Sequence, residues 1–218
     1  RSNGCIVYRC CIPPTALDAL LIVRDAAMRA EDRRLVDLTV ATLRPLCEQG
    51  PWISREYEPI LSKRQLEVAA LAAKTGAEVI AVGCDIREPT DITRAFDSAN
   101  EAFGMPSVLV NNAAANFPSP AEDLSPNAWR TVVDITLNGT FLCSREFARR
   151  HLVAGTPASI LNVAASYAWT GGPGFAHSAA AKAGVVNLVE TLAVEWGPHN
   201  IRANAIAPGL VKTDFARA

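Results

Sequence analysis

From about Gly76 onward, short strand-like runs alternate with longer segments of helical period, and this alternation leaves few folds open. Residues 78–83, 107–110, 159–163 and 202–206 read as strands, the first a buried apolar run. Between them, residues 90–103, 126–153 and 176–196 have the period and length of crossover helices. Strands and helices joined in this rhythm by short loops are satisfied by an α/β architecture, a doubly wound parallel sheet with helices on both faces. Ligands of such sheets bind beyond the carboxyl ends of the strands. The residues to read are therefore Asp85, Asn111 and Asn112, residues 164–167, and Pro208 with Gly209.

The first sixty residues follow a different pattern. Gly4 to Ile12 reads as a strand and Thr15 to about Gln49 as one or two amphipathic helices, broken near Asp32, so residues 1–60 are expected to form a divergent, mostly helical segment. Residues 61–218 then form a partial dinucleotide-binding domain carrying the chemistry. A phosphate cradle needs a glycine-rich turn whose N–H groups face the ligand at a helix N-terminus. Here the turn contains Pro13 and Pro14, proline has no N–H, and Gly4 and Gly50 are the only glycines before Gly76. The usual first Gly-rich strand-loop-helix is thus expected to be missing. A start at Arg1 and a stop soon after a strand-like run read as cut ends.

Composition removes several function classes. A net charge of −1 leaves no cationic excess for a nucleic-acid backbone or a membrane surface. The chain contains no apolar run long enough to span a bilayer and no basic, then apolar, leader, so the default is a soluble intracellular protein acting on small molecules. Six cysteines in 218 residues make no dense disulfide framework, and no paired spacing completes a zinc site, so no metal is expected. His151, His177 and His199 are scattered and read as surface or packing residues.

Three features converge on one chemistry: Asn111 to Phe117 after a strand, Tyr167 after the next, and Ser178 to Lys182 opening a helix. Ser178 and Lys182 are i and i+4 and share one helix face. A phenol, an amide and an ammonium together can hold a carbonyl oxygen and a sugar hydroxyl. Taken singly, Tyr167 reads as a packing tyrosine and Ser178 as a small residue against its helix; their weight comes from being together.

Residues from about 75 to 213 resemble the short-chain dehydrogenase/reductase family, whose fold is Rossmann-like and whose C-terminal substrate segment, which follows Thr213, is expected to be lacking here. Asp85 and Ile86 resemble its adenine-contacting turn, Asn111-Asn112-Ala113 its NNAG-type turn, Asn138 its helix asparagine, and Pro208-Gly209 with Thr213 its nicotinamide-contacting motif. The family's usual tyrosine position is held by Ser178 and its usual serine position by Ala165. With Tyr167 where it stands, and with residues 111–120, 124–129 and 167–171, the chain resembles the 2,4-dienoyl-CoA reductase subfamily, in which the tyrosine is relocated and serine fills the vacated place.

That resemblance implies an oxidoreductase with Tyr167 and Asn116 directing hydrogen bonds at a thioester oxygen. It also implies that Lys182 holds the nicotinamide ribose and that Ser178 orients the tyrosine or the carbonyl. The implied cofactor is NADPH, with NAD not excluded, and the implied substrate a 2,4-dienoyl-CoA of fatty-acid β-oxidation, reduced to a trans-3-enoyl-CoA. Helices 126–152 and 176–196 resemble those through which the family forms tetramers. The implied compartment is the cytoplasm, or the mitochondrion or peroxisome of a eukaryote. Ser62-Lys63-Arg64 reads either as a ribose-phosphate contact or as a solvated helix face. The open alternatives are a short-chain oxidoreductase acting on a ketone or hydroxyl substrate, and a catalytically silent remnant that only associates with complete subunits.

Overall fold

A computed structural model describes residues 78–209 with their side chains and, as backbone, two further strands at residues 4–9 and 19–24. Among these residues one sheet is formed by β1 (Gly4–Arg9), β2 (Ala19–Arg24), β3 (Glu78–Gly83), β4 (Val108–Asn111), β5 (Ala158–Val163) and β6 (Ile201–Ile206). Its order is β3-β2-β1-β4-β5-β6, that of a doubly wound Rossmann-like sheet, with the chain reversing its direction of progress between β1 and β4.

One strand departs from the expected parallel arrangement. β1, β4, β5 and β6 run parallel, whereas β2 is antiparallel to both β1 and β3. Only residues 10–18 separate β1 from β2, fewer than the dozen or so that a parallel crossover needs, so the chain can only turn back on itself. The helix expected from Thr15 onward is accordingly a strand over Ala19–Arg24. ALLIVR is too short an apolar run for periodicity to separate helix from buried strand, and β-branched Ile22 and Val23 favour the latter. The remaining expectations for residues 25–77, including Ser62-Lys63-Arg64, and that for Thr213 lie outside the described residues. So does the turn at Pro13-Pro14.

The helices are α1 (Pro89–Phe103), α2 (Pro126–Val133), α3 (Gly139–Ala154), the single turn α4 (Tyr167–Thr170) and α5 (Ala176–Trp196). Ser125 caps α2 by accepting the Ala128 N–H at 3.2 Å, with Pro126 in the first turn where no N–H is needed. Between α2 and α3, where one unbroken helix was expected, Asp134–Asn138 winds as a π turn. The core between sheet and helices gathers Phe96, Leu109, Phe147, Ile160, Val185 and Ile201.

Two packing details carry predictions. A Cβ on Gly139 would lie 2.5 Å from Cδ1 and 2.7 Å from Cγ1 of Ile86, a side chain that is itself 1 % exposed. Gly139→Ala gains about 1 kcal/mol of helix propensity but overpacks the core by about 1–3 kcal/mol. The expected outcome is a net loss of about 1 kcal/mol in urea unfolding, where propensity alone predicts a gain.

His151, near the end of α3, is buried, with Nε2 2.8 Å from the Pro106 carbonyl and Nδ1 2.8 Å from the Thr156 hydroxyl. The carbonyl requires a proton on Nε2. Burial holds its pKa below the usual 6.5, against the opposing pull of the Pro106 and Thr156 backbone, and burial lowers that of His177 as well. Below pH 6.5 the unfolded chain takes up protons that the native state refuses. Stability is therefore complete above that pH and declines as the pH falls toward the folded values, by at most about 1.4 kcal/mol per pH unit for each histidine. Melts at pH 7.5, 6.5 and 5.5 should show the decline in the last interval, and His151→Gln should reduce it to the share of His177.

Candidate active site

The carboxyl end of β5 is pinned before the candidate residues begin. The Ala164 N–H donates to the Ile206 carbonyl at 2.7 Å and the Ser166 N–H to the Pro208 carbonyl at 3.4 Å, which sets the exit of β5 against that of β6. Tyr167 opens the α4 turn directly afterwards. Its ring stacks on Phe175, with centroids 6.1 Å apart and planes 13° from parallel. Its hydroxyl lies 3.0 Å from Ser178 Oγ.

Ser178 and Lys182 are buried on one stripe of α5, which continues through Val185, Val189 and Leu192 into the core. The Lys182 ammonium donates to the carbonyl of Val163, the last residue of β5. The phenol thus meets the hydroxyl, and the ammonium, one helical turn on from that hydroxyl, meets the strand end. Tyr167 is positioned by the α4 turn and Ser178 and Lys182 by α5, and all three stand at the sheet edge where the topology places ligands.

The expected cofactor contacts divide. Asp85 and Ile86 do follow β3, but the Asp85 carboxylate is occupied by Arg87, whose Nε donates to Oδ1 at 2.9 Å, and this guanidinium holds the carboxyl below its ordinary pKa. The Asp85 N–H donates to Asp91 Oδ2 at 3.0 Å. The Ile86 side chain is in the core against Gly139, which leaves only its backbone for a ligand. Pro208 and Gly209 are exposed at the strand ends beside Ser166.

Asn111 faces inward. Its side chain points into the protein, donating to Ser144 Oγ at 2.8 Å and to Asn162 Oδ1 at 2.8 Å, while Asn162 in turn donates to the Asn204 carbonyl at 3.1 Å. This buried amide ladder laces β4, β5 and β6 together at their carboxyl ends. The NNAG-like turn thus presents Asn112, which is part-exposed, while Ala113 is buried with Asn111.

Asn138 is also not brought to the cluster. Its side chain is exposed and donates to Asp134 Oδ1 at 2.8 Å. The π turn inserts one residue and changes the helix phase by about 100°. It is Thr136 that faces inward, fully buried, with Oγ1 accepting the Ala115 N–H at 3.2 Å. Asn116 is exposed on the loop after β4, with no hydrogen bond to Tyr167, Ser178 or Lys182 among the described residues. Its neighbour Phe117 brings that loop to the site by meeting the buried ring of His177 edge-on, centroids 4.6 Å apart.

Sequence reasoning passed over Phe175 and Thr136, and read His177 only as a surface or packing residue. A pair of glycines, Gly171 and Gly172, ahead of Phe175 was the available signal for a tight return of the chain onto Tyr167. Nothing in the residue types marked Thr136.

The family model described as Enoyl-(Acyl carrier protein) reductase matches residues 59–218. The chain is similar to a probable 2,4-dienoyl-CoA reductase [(2E)-enoyl-CoA-producing] of Bacillus subtilis, 51% identical over 129 residues, which are 59% of this chain and 51% of the relative. It is also similar to the peroxisomal 2,4-dienoyl-CoA reductase [(3E)-enoyl-CoA-producing] of Mus musculus, 40% identical over 155 residues, 69% of this chain and 51% of that one. Among solved structures, a short chain dehydrogenase from Bacillus anthracis superposes with TM-score 0.59 at 50% identity, covering 60% of this chain and 55% of that one. A 3-ketoacyl-(acyl-carrier-protein) reductase from Brucella melitensis complexed with NADH superposes with TM-score 0.58 at 31% identity, covering 62% and 58%. The chain spans about half the length of the curated relatives it matches.

Proposed function

Because the chain belongs to the short-chain dehydrogenase/reductase family, we propose that its protein is a nicotinamide-dependent oxidoreductase that reduces a 2,4-dienoyl-CoA to a trans-3-enoyl-CoA in unsaturated fatty-acid β-oxidation. The observation that carries the reading is the Tyr167 hydroxyl 3.0 Å from Ser178 Oγ, with Lys182 one turn further along the same buried face. In the parent family pattern the phenol belongs on that helix. Here a serine stands there and receives a phenol from the preceding turn.

The residues present fit the nicotinamide end of the cofactor. Lys182 is held at the end of β5, Pro208 and Gly209 are exposed just after β6 with the Pro208 carbonyl meeting Ser166, and Asp85 follows the parallel strand β3. The residues that would meet the pyrophosphate fall outside those described. When bound, NADPH supplies the hydride that reduces the terminal diene carbon.

The chain's own residues supply the rest. Tyr167, with Asn116 drawn inward from its loop, donates hydrogen bonds to the thioester oxygen, where negative charge collects as electrons move through the diene. Ser178 fixes the phenol's direction. Lys182 holds the ribose hydroxyls and its charge favours the developing enolate. A proton from water then adds to the α-carbon, which leaves the remaining double bond at the 3-position. A second reading, reduction of a ketone with Tyr167 as the acid, draws support from the similarity to a 3-ketoacyl reductase. An association through α3 and α5, with Phe141 and Val194 exposed on them, belongs to the same proposal.

Two measurements test it. Calorimetry of the 218-residue chain with NADPH and with NADH is expected to show binding, tighter for NADPH; no heat at millimolar cofactor favours a silent, associating remnant. In the full-length parent, NADPH oxidation should be supported by a 2,4-dienoyl-CoA with a 3-enoyl product. Turnover of a 3-ketoacyl-CoA alone sinks the reading, and a 2-enoyl product, as in the name of the Bacillus subtilis relative, moves the protonation to the γ-carbon.

A further inference from the structure

Helix α5 starts without the usual cap. Phe175, the residue before it, offers no side-chain acceptor to the free N–H groups of the first turn. The Ser178 N–H is taken instead by Nδ1 of His177, at 2.7 Å. To accept, Nδ1 must carry no proton, so the neutral ring holds its proton on Nε2. That nitrogen is buried with no polar partner among the described residues.

Leucine or phenylalanine would fill the same space, fully buried as it is, without stranding a nitrogen. The use of an imidazole is therefore accounted for by what Nδ1 does. The ring also has a second neighbour, Phe117, edge-on at 82°. Beyond Phe117 the Ser119 N–H donates to the Gly174 carbonyl at 2.9 Å, so the loop after β4 is docked on both sides of the start of α5.

We propose that His177 is a positioning residue: Nδ1 fixes the backbone of Ser178, and through it the Tyr167 hydroxyl, while its ring seats the Asn116–Phe117 loop against the site. The catalytic meaning of this role rests on the reading of Tyr167 given above; the positional role does not.

The test uses the 218-residue chain and readouts that need no turnover. A long-range ¹⁵N–¹H spectrum is expected to show His177 as the Nε2–H tautomer; a proton on Nδ1 overturns the proposal. With ¹³Cζ-labelled tyrosine, the chain gives three signals and Tyr167→Phe identifies the relevant one. His177→Leu, verified as folded by circular dichroism, is expected to move the Tyr167 signal. His177→Asn, whose side-chain oxygen occupies the accepting position, is expected to leave it near its original place. An unmoved signal in folded His177→Leu overturns the proposal, and if that variant does not fold, displacement in His177→Asn does so.

In the active parent, kcat should fall about tenfold or more in His177→Leu, a loss of alignment, and largely return in His177→Asn, with KM little changed. Equal losses in the two variants overturn the role. Absence of any wild-type turnover counts against the proposed reaction, and the spectra then decide on His177 alone.

Discussion

Tyr167→Phe in the full-length parent is expected to lower kcat with a 2,4-dienoyl-CoA by about a hundredfold or more, the usual cost of deleting one donor aimed at a developing oxyanion. The fold should hardly notice. The ring remains stacked on Phe175, and the hydroxyl lost is part-buried with Ser178 Oγ as its recorded partner. Ser178→Ala removes the group that aims the phenol while leaving the phenol itself, so its effect on kcat should be smaller. Stopped-flow NADPH oxidation alongside a thermal melt separates the two quantities. Equal losses in the two variants would show that the phenol is not the principal donor.

The second large effect concerns stability. Asn111→Ala deletes the donor that joins Ser144 to Asn162, and Asn162 Oδ1 is left buried with its partner gone. Stranding such a group costs about 1–3 kcal/mol, and the space left by the amide adds to that, so a loss of about 3 kcal/mol is expected. For a chain of this size that is a fall in Tm of roughly 6–12 °C. Asn111→Asp should be worse, because it sets a carboxylate oxygen against the Asn162 carbonyl oxygen in the interior. Urea unfolding checks both. Wild-type stability in Asn111→Ala would mean that the ladder joining the three strands contributes nothing net.

Much of the architecture was legible in the sequence because the strands and the longer helices from residue 78 onward announce themselves by their own period and boundary signals. α5 was expected over 176–196 and is Ala176–Trp196; Pro89 and Ser125-Pro126 mark the starts of α1 and α2. Ala19–Arg24 was misread for a physical reason: a six-residue apolar run has no period to measure, and its partners decide its conformation. The π turn at Asp134–Asn138 was invisible for a related reason. One inserted residue leaves composition unchanged while turning Asn138 outward and Thr136 inward. At the site, Tyr167, Ser178 and Lys182 could be grouped because i, i+4 spacing and strand-end placement survive in sequence. The role of Asn111 could not, because a carboxamide at a sheet edge serves a ligand or its neighbours equally well until the neighbours are seen.

The stripe on α5 that runs from Ser178 and Lys182 into Val185, Val189 and Leu192 has an evolutionary consequence. The end of this helix that bears Ser178 and Lys182 cannot be re-aimed without disturbing the protein's own interior, so on the proposed reading the chemistry is inherited with the scaffold and drifts only as the scaffold does. Among the described residues, novelty in what is accepted as substrate is expected from the two flanking loops, residues 116–120 and 171–175. There an altered side chain changes the guest without shifting the host.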